Sequence, residues 1–147
     1  MQPTHRNLAQ LLGDARRWFD EGLVASLEAA GATLVSPPQV QLFAVLDDQG
    51  STVSELARRM GVTRQTAHQA VHGLVGAGLL EQVPDPTSAR RRLIRRTEEG
   101  ERAHRQAGLI LERLEERLAE RIGPEAVDAL RAALEGPWGR PPSPGSE

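Results

Sequence analysis

Residues 52–72 read T-V-S-E-L-A-R-R-M-G-V-T-R-Q-T-A-H-Q-A-V-H. Thr52 and Glu55 form a T-x-x-E capping box that starts a helix running to about Met60, and Gly61 stops it. Only Val62 and Thr63 separate that Gly from a second periodic segment, Arg64 to Ala77, for which Thr63 is the N-cap. Ala57 supplies the small residue where two helices come close and Gly61 supplies the bend, as a helix-turn-helix requires. Leu56, Met60, Val62, Ala67, Val71 and Leu74 form its packed side. Thr63, Arg64, Gln65, His68, Gln69 and His72 are left pointing outward, and these are hydrogen-bonding types that read base edges and phosphates in a major groove. The same set on a single helix also describes an ordinary solvated face. Gly73 and Gly76 lie inside this helix, each at a cost of about 0.5 to 1 kcal/mol relative to Ala. They read equally as close-approach packing sites or as a mobile helix end.

Downstream, Leu79, Leu80 and Val83 begin a strand that breaks at Pro84-Asp85-Pro86-Thr87-Ser88, and a return strand follows from about Arg91 to Arg96. The tip and return arm of this hairpin hold five Arg. Upstream, Ser36, the two prolines after it and Gln39 signal a helix over about Pro37 to Leu46, with Val40, Phe43, Ala44 and Leu46 towards a core. The outer segments are amphipathic helices. The first carries Leu8, Leu11, Leu12, Ala15, Trp18, Phe19, Gly22, Leu23, Leu27 and Ala30 at helical spacing, with Gly31 as its stop. A helix from Thr97 places Ala103, Ala107, Ile110, Leu111, Leu114, Leu118 and Ile122 on one stripe, with Glu98/Arg102 and Glu101/Arg105 four apart. Gly123-Pro124 breaks it, and a last helix runs to about Leu134. Residues 136–147 hold four Pro and three Gly and read as a disordered tail.

The chain has 147 residues and a net charge of −2, which looks unfavourable for a polyanion partner until it is divided. All 18 basic residues are Arg. Between Ser51 and Arg96 stand eight Arg and three acids, a surplus of +5; the other residues carry ten Arg and seventeen acids, or −7. One sign concentrated inside a domain of the other is an electrostatic footprint for nucleic acid. Arg also suits phosphate and guanine through its planar fork.

In order along the chain, S-P-P-Q-V-Q-L-F-A-V-L, S-E-L-A-R-R-M-G-V-T-R-Q-T, G-A-G-L-L-E, a Pro/Asp/Ser hairpin tip and R-x-x-x-x-x-x-T-E-E-G, ending at Gly100, resemble the MarR family of winged-helix transcriptional regulators. The fold this implies is mainly α: a winged helix-turn-helix (about 36–96) with a small β-hairpin wing, flanked by N- and C-terminal dimerisation helices (about 4–31 and 97–135). Residues 1–135 then form a single domain. The resemblance implies a homodimer that presents two recognition helices to a pseudo-palindromic operator in double-stranded DNA, as a ligand-responsive repressor. Thr63, Arg64, Gln65, His68, Gln69 and His72 would contact bases and phosphates, and Arg90, Arg91 and Arg92 of the wing would enter the minor groove. Two positions depart from the family pattern: the usual Asp-x-Arg of the wing reads Ser88-Ala89-Arg90, and the usual hydrophobic residue before Thr97 is Arg96. Asp85 is the nearby carboxylate available to replace the lost one.

The resemblance also suggests a small-molecule pocket, often for aromatic acids, between the dimer helices and the winged lobe. Trp18 and Phe43 with Arg16 or Arg17 suit a small aromatic or anionic ligand there, although aromatic core packing at the dimer interface is the plainer expectation for Trp18, Phe19 and Phe43. His68 and His72 have metal-pair spacing, but no H-E-x-x-H pattern and no Cys accompanies them, so no metal and no cofactor are expected. If both face phosphate, protonation at low pH should tighten DNA binding.

The absence of Cys excludes disulfides, zinc thiolates, Fe–S clusters and thiol-based oxidant sensing. No Gly-rich phosphate loop or G-x-S-x-G elbow is present, so no enzyme is expected. No basic-then-apolar leader and no membrane-length apolar run occur, which points to a cytoplasmic protein without membrane contact. The alternative to a DNA-binding regulator is a winged-helix module that docks a protein partner.

Overall fold

Asn7, Ser36 and Thr52 each open a helix by the same reciprocal device. Thr52 Oγ1 accepts from the Glu55 amide (3.2 Å) while Glu55 accepts from the Thr52 amide (3.4 Å), and Ser36–Gln39 and Asn7–Gln10 repeat the pattern. The computed structural model describes residues 5–32 and 36–145. In order they form α1 (Leu8–Ala29), α2 (Pro37–Val45), α3 (Val53–Met60), α4 (Arg64–Gly76), β1 (Leu80–Asp85), β2 (Ser88–Arg96), α5 (Glu98–Ile122) and α6 (Pro124–Glu135). The protein is thus mainly helical with one two-stranded antiparallel hairpin. The start expected near residue 4 lies outside the described residues; the Asn7 capping box opens α1 at Leu8.

The chain divides into two compact units, Met1–Leu111 and Glu112–Glu147. In the first, the helix-turn-helix follows its sequence pattern. Gly61 adopts φ 68°, where a side chain would be strained, and the Val62 amide reaches back to the Ala57 carbonyl at 3.0 Å. Leu56, Ala57, Met60, Ala67, Val71 and Leu74 are buried as expected, Val62 is half-buried, and Ala70 joins the packed side.

The core contains Leu42, Leu46, Leu56, Met60, Val71, Leu74, Leu80 and Ile94. Leu42, rather than Ala44, is the core residue of α2: Leu42 is buried and Ala44 exposed, because the helix turns the face holding Leu42 towards α3 and α4. Gly73 is resolved as a close-approach site, since a Cβ there would run into the Gln39 side chain, whereas a Cβ at Gly76 would meet open space.

The hairpin is longer and its tip tighter than the Pro-rich stretch suggested. Asp85 pairs with Ser88 across a turn at Pro86-Thr87, and β2 begins at Ser88 instead of Arg91. Ser51 adds a short bridge to Ile94, with amide-to-carbonyl bonds of 2.9 and 2.8 Å, which ties the hairpin to the loop before α3. Thr97 closes the hairpin onto α5: its hydroxyl donates to the Gly78 carbonyl (2.6 Å) and accepts the Gly100 amide (3.0 Å).

Arg96 does not extend the basic surface of the wing. Its side chain is 2% exposed, with Nε donating to Glu101 at 3.1 Å and NH2 paired with Asp48. Glu101 therefore serves Arg96 and not Arg105, while Glu98 does pair with Arg102, at 3.8 Å. Nη1 of Arg96 is buried with no hydrogen-bond partner. A buried guanidinium with an unmet donor, paired to carboxylates that remain exposed, gives little net stability compared with an apolar residue of similar volume. Arg96→Leu is accordingly expected to leave the unfolding free energy within about 1 kcal/mol of the parent or raise it, as read by denaturant titration. A loss above about 3 kcal/mol would show the cluster to be essential.

In the second unit, the C-terminal part of α5 and α6 are joined by an Arg131–Glu115 ion pair, and Trp138 donates from its indole to the Ala133 carbonyl at 2.8 Å. Of the α5 stripe, Leu114 and Leu118 in this unit are half-buried and Ile122 is exposed; in the first unit Ile110 is buried and Ala103, Ala107 and Leu111 are half-buried. Residues 136–145 carry no helix or strand.

Candidate nucleic-acid interface

Because Ala67, Ala70, Val71 and Leu74 turn inward, the other face of α4 is forced out. Thr63, Arg64, Gln65, His68, Gln69 and His72 are all exposed. Thr63 also caps the helix, its Oγ1 accepting the Thr66 amide at 3.1 Å. Arg64 has no ion-pair partner among the described residues, so its guanidinium is available to an incoming anion. His68 and His72 stand one turn apart, with no third His, Asp or Glu gathered near them among the described residues.

The wing arginines separate into two groups. Arg95 lies opposite Glu81 in the hairpin register and bonds it at 2.6 Å, and Arg96 is internal. Arg90, Arg91 and Arg92 are exposed and form no ion pair among the described residues. Pro84 pairs with Arg92 and Asp85 with Ser88, so the extra residues Ala89, Arg90 and Arg91 bulge from β2. A proline in β1 cannot donate to the ladder, and a bulge beside it re-aims side chains out of the sheet.

Asp85 does not take the place of the carboxylate missing at Ser88. It accepts from the Thr87 amide (2.8 Å) and hydroxyl (2.7 Å), forming the turn itself. The Thr87 amide, then its hydroxyl, and more weakly the charge of Arg91, hold the Asp85 carboxyl below its ordinary pKa. The carboxylate at the tip of the wing is thus committed to the turn.

Among the eight Arg of the basic segment, Arg59 is also structural: it pairs with Asp47 at 3.0 Å and donates to the Val45 carbonyl at 3.1 Å. Five remain without a carboxylate partner, namely Arg58, Arg64, Arg90, Arg91 and Arg92. Five guanidinium groups are therefore left free by folding, on the helix-turn-helix and the wing.

A cavity of about 610 Å³ lies in the first unit, lined chiefly by Phe19, Leu23, Leu27, Val40, Phe43 and Leu111. Of the residues singled out in the sequence, Phe43 and Arg16 are among its lining and Trp18 and Arg17 are not. Phe19, Leu23 and Leu27 recur every four residues and share one side of α1, whereas Trp18 is rotated about 100° from Phe19 and packs its ring edge-on against it at 4.9 Å. Arg17 turns back to Asp14 at 3.7 Å. The four-residue spacing of Phe19 with Leu23 and Leu27 was the available signal that Phe19 faces this cavity.

Comparison with known proteins identifies where this arrangement recurs. Residues 35–91 match the profile of the MarR family. An uncharacterised protein of Mycobacterium tuberculosis strain H37Rv is 37% identical over 97 residues, which cover 64% of this chain and 66% of that relative, a little under two thirds of its length. Wild-type apo MarR from E. coli superposes with a TM-score of 0.72 at 19% identity, covering 90% of this chain and 97% of that one. The repressor CouR bound to a 23-mer DNA duplex superposes with a TM-score of 0.69 at 25% identity, covering 87% of this chain and 89% of that one. CouR from Rhodococcus jostii RHA1 bound to p-coumaroyl-CoA gives 0.71 at 22% identity, covering 92% and 94%.

Proposed function

We propose that the chain is a MarR-family transcriptional regulator that binds double-stranded DNA as a homodimer and represses by occupying a pseudo-palindromic operator. The observation that carries this is the union of two unpaired cationic elements on one lobe: the polar outer face of α4 and the exposed Arg90, Arg91 and Arg92 of the wing. In the proposed complex α4 lies in a major groove, with Arg64, Gln65, His68, Gln69 and His72 towards base edges and phosphates and Thr63 at its start. Arg90, Arg91 and Arg92 follow the adjacent minor groove. The complex of CouR with duplex DNA supports this placement by analogy.

Dimerisation would use the terminal helices, about 4–31 and 97–135, within one domain of residues 1–135 followed by a tail from 136. Exposed apolar side chains support it: Leu8 is 74% exposed, and Leu109, Ile122, Leu130 and Leu134 are also uncovered. A second copy is the occupant that would bring two α4 helices about 34 Å apart, one duplex turn. A ligand in the α1–α2–α5 cavity would act by changing that spacing. The regulator would work in the cytoplasm, and no catalytic step, metal or cofactor enters this reading.

Selection of bound duplexes from a random pool tests it: a two-fold symmetric site is the expected result. Absence of any duplex affinity would favour a protein-docking module, and a monomer at micromolar concentration would remove the dimer. Arg64→Ala or Gln65→Ala is expected to change which duplexes are selected, with a cost of about 1 to 3 kcal/mol on the preferred site. An unchanged site preference would remove α4 as the reading element.

A further inference from the structure

The cavity of the first unit has a charge pattern that bears on what it accepts. Its walls are mostly apolar, and its charged side chains are Arg16, Arg102, Asp20 and Glu99. Each arginine is already engaged by a carboxylate. Arg16 Nε donates to both oxygens of Asp20, at 3.2 and 3.3 Å, one helical turn away. Arg102 pairs with Glu99 and, at 3.8 Å, with Glu98. The lining therefore holds two cations and two anions, with no uncompensated guanidinium.

An anion carried into an apolar cavity loses its hydration and needs a cation or several donors in return. Here it would meet guanidinium groups whose charge is already balanced, beside carboxylates that repel it. An uncharged molecule meets no such penalty and gains the full burial of its apolar surface. The neutral amide of Gln39 and the imidazole of His104, which forms no ion pair, supply polar contacts in the lining that serve an uncharged ligand. The cavity volume of about 610 Å³ suits a molecule of two or more fused or linked rings.

We propose that this cavity takes a neutral, predominantly apolar molecule and discriminates against free carboxylates and sulfonates. The inference builds on the ligand-responsive regulator put forward above, and it replaces the aromatic acid expected from sequence resemblance with an uncharged aromatic or polycyclic compound.

The test uses two fluorescent probes that differ by one charge: phenylnaphthylamine, which is neutral, and its sulfonated counterpart anilinonaphthalene sulfonate. Both are titrated into the full-length protein in the same buffer. The neutral probe is expected to bind at least about tenfold more tightly than the sulfonate. Asp20→Asn, which releases Arg16 from its carboxylate, is expected to narrow that gap by tightening sulfonate binding. Ala103→Trp and, separately, Ala107→Phe, both filling the cavity from α5, are expected to abolish binding of the neutral probe with circular dichroism unchanged.

Equal or tighter binding of the sulfonate to the parent protein would overturn the proposal. So would failure of the neutral probe to bind, or its retention in both cavity-filling variants. Affinity for the selected duplex, measured on the same preparation, separates the two levels: DNA binding together with a preference for the sulfonate refutes the neutral-ligand inference alone. Loss of all duplex affinity refutes the regulator and leaves the probe ranking to be judged independently.

Discussion

Replacing Arg90, Arg91 and Arg92 together by alanine is expected to weaken binding to every duplex, whatever its sequence, by about 10²-fold near 0.15 M salt. The three guanidinium groups are exposed and lack carboxylate partners, Arg90 and Arg91 on a bulge outside the regular ladder and Arg92 beside it opposite Pro84, so they are free to displace condensed counterions from DNA. Each phosphate neutralised contributes about 0.9 to the slope of log affinity against log salt. The slope should therefore fall by about 2 to 3 in the triple variant, while the base preference selected by α4 stays the same. Arg95→Ala and Arg96→Ala are the contrasting controls, because their guanidinium groups are held by Glu81 and by Glu101 and Asp48. Affinity titrations at four salt concentrations distinguish the sets, and a slope unchanged in the triple variant would remove the wing from the interface.

Gly100→Ala should produce the largest loss of stability of any single methyl addition in the first unit. A Cβ at Gly100 would overlap the Leu79 carbonyl, lying 3.0 Å from its carbon and 3.2 Å from Cβ of Arg96. The obstructing atoms are backbone of the hairpin entry, where Leu79 O also accepts the Thr97 amide at 3.1 Å, so they cannot swing aside like a side-chain end. Relief requires α5 to move off β1, and a cost of about 3 kcal/mol or more is expected in thermal or denaturant unfolding. Gly76→Ala is the control: its Cβ would meet open space inside a helix, and a gain of about 0.5 to 1 kcal/mol is expected. A Gly100→Ala protein as stable as the parent would show that this helix junction is loose.

Much of the architecture was legible because its signals are local. Capping boxes at Ser36 and Thr52 and the Gly61 bend act within a few residues of themselves, so helix starts and the α3–α4 turn could be placed from spacing alone. The packed and exposed faces of α4 followed from helical periodicity. What spacing missed was decided between elements. Leu42 is the core residue of α2 because α3 and α4 lie on that side of it, and the five-residue hairpin tip tightened because Asp85 bonds Thr87. Phe19 displaces Trp18 from the cavity through its alignment with Leu23 and Leu27.

Charge shows the same division. The sequence by itself determined that a +5 segment sits within a chain of net −2, because charge counts do not depend on folding. Only the tertiary structure decided which of those arginines remain free: Arg59, Arg95 and Arg96 meet carboxylates from residues 12, 14, 5 and 48 positions away, while Arg64 and the exposed wing arginines Arg90, Arg91 and Arg92 meet none. The same pairing, made by Asp20 and Glu99 around the cavity, sets its preference for an uncharged ligand. Composition counts charges, but a guanidinium acts on a partner only where folding has left it without a carboxylate of its own.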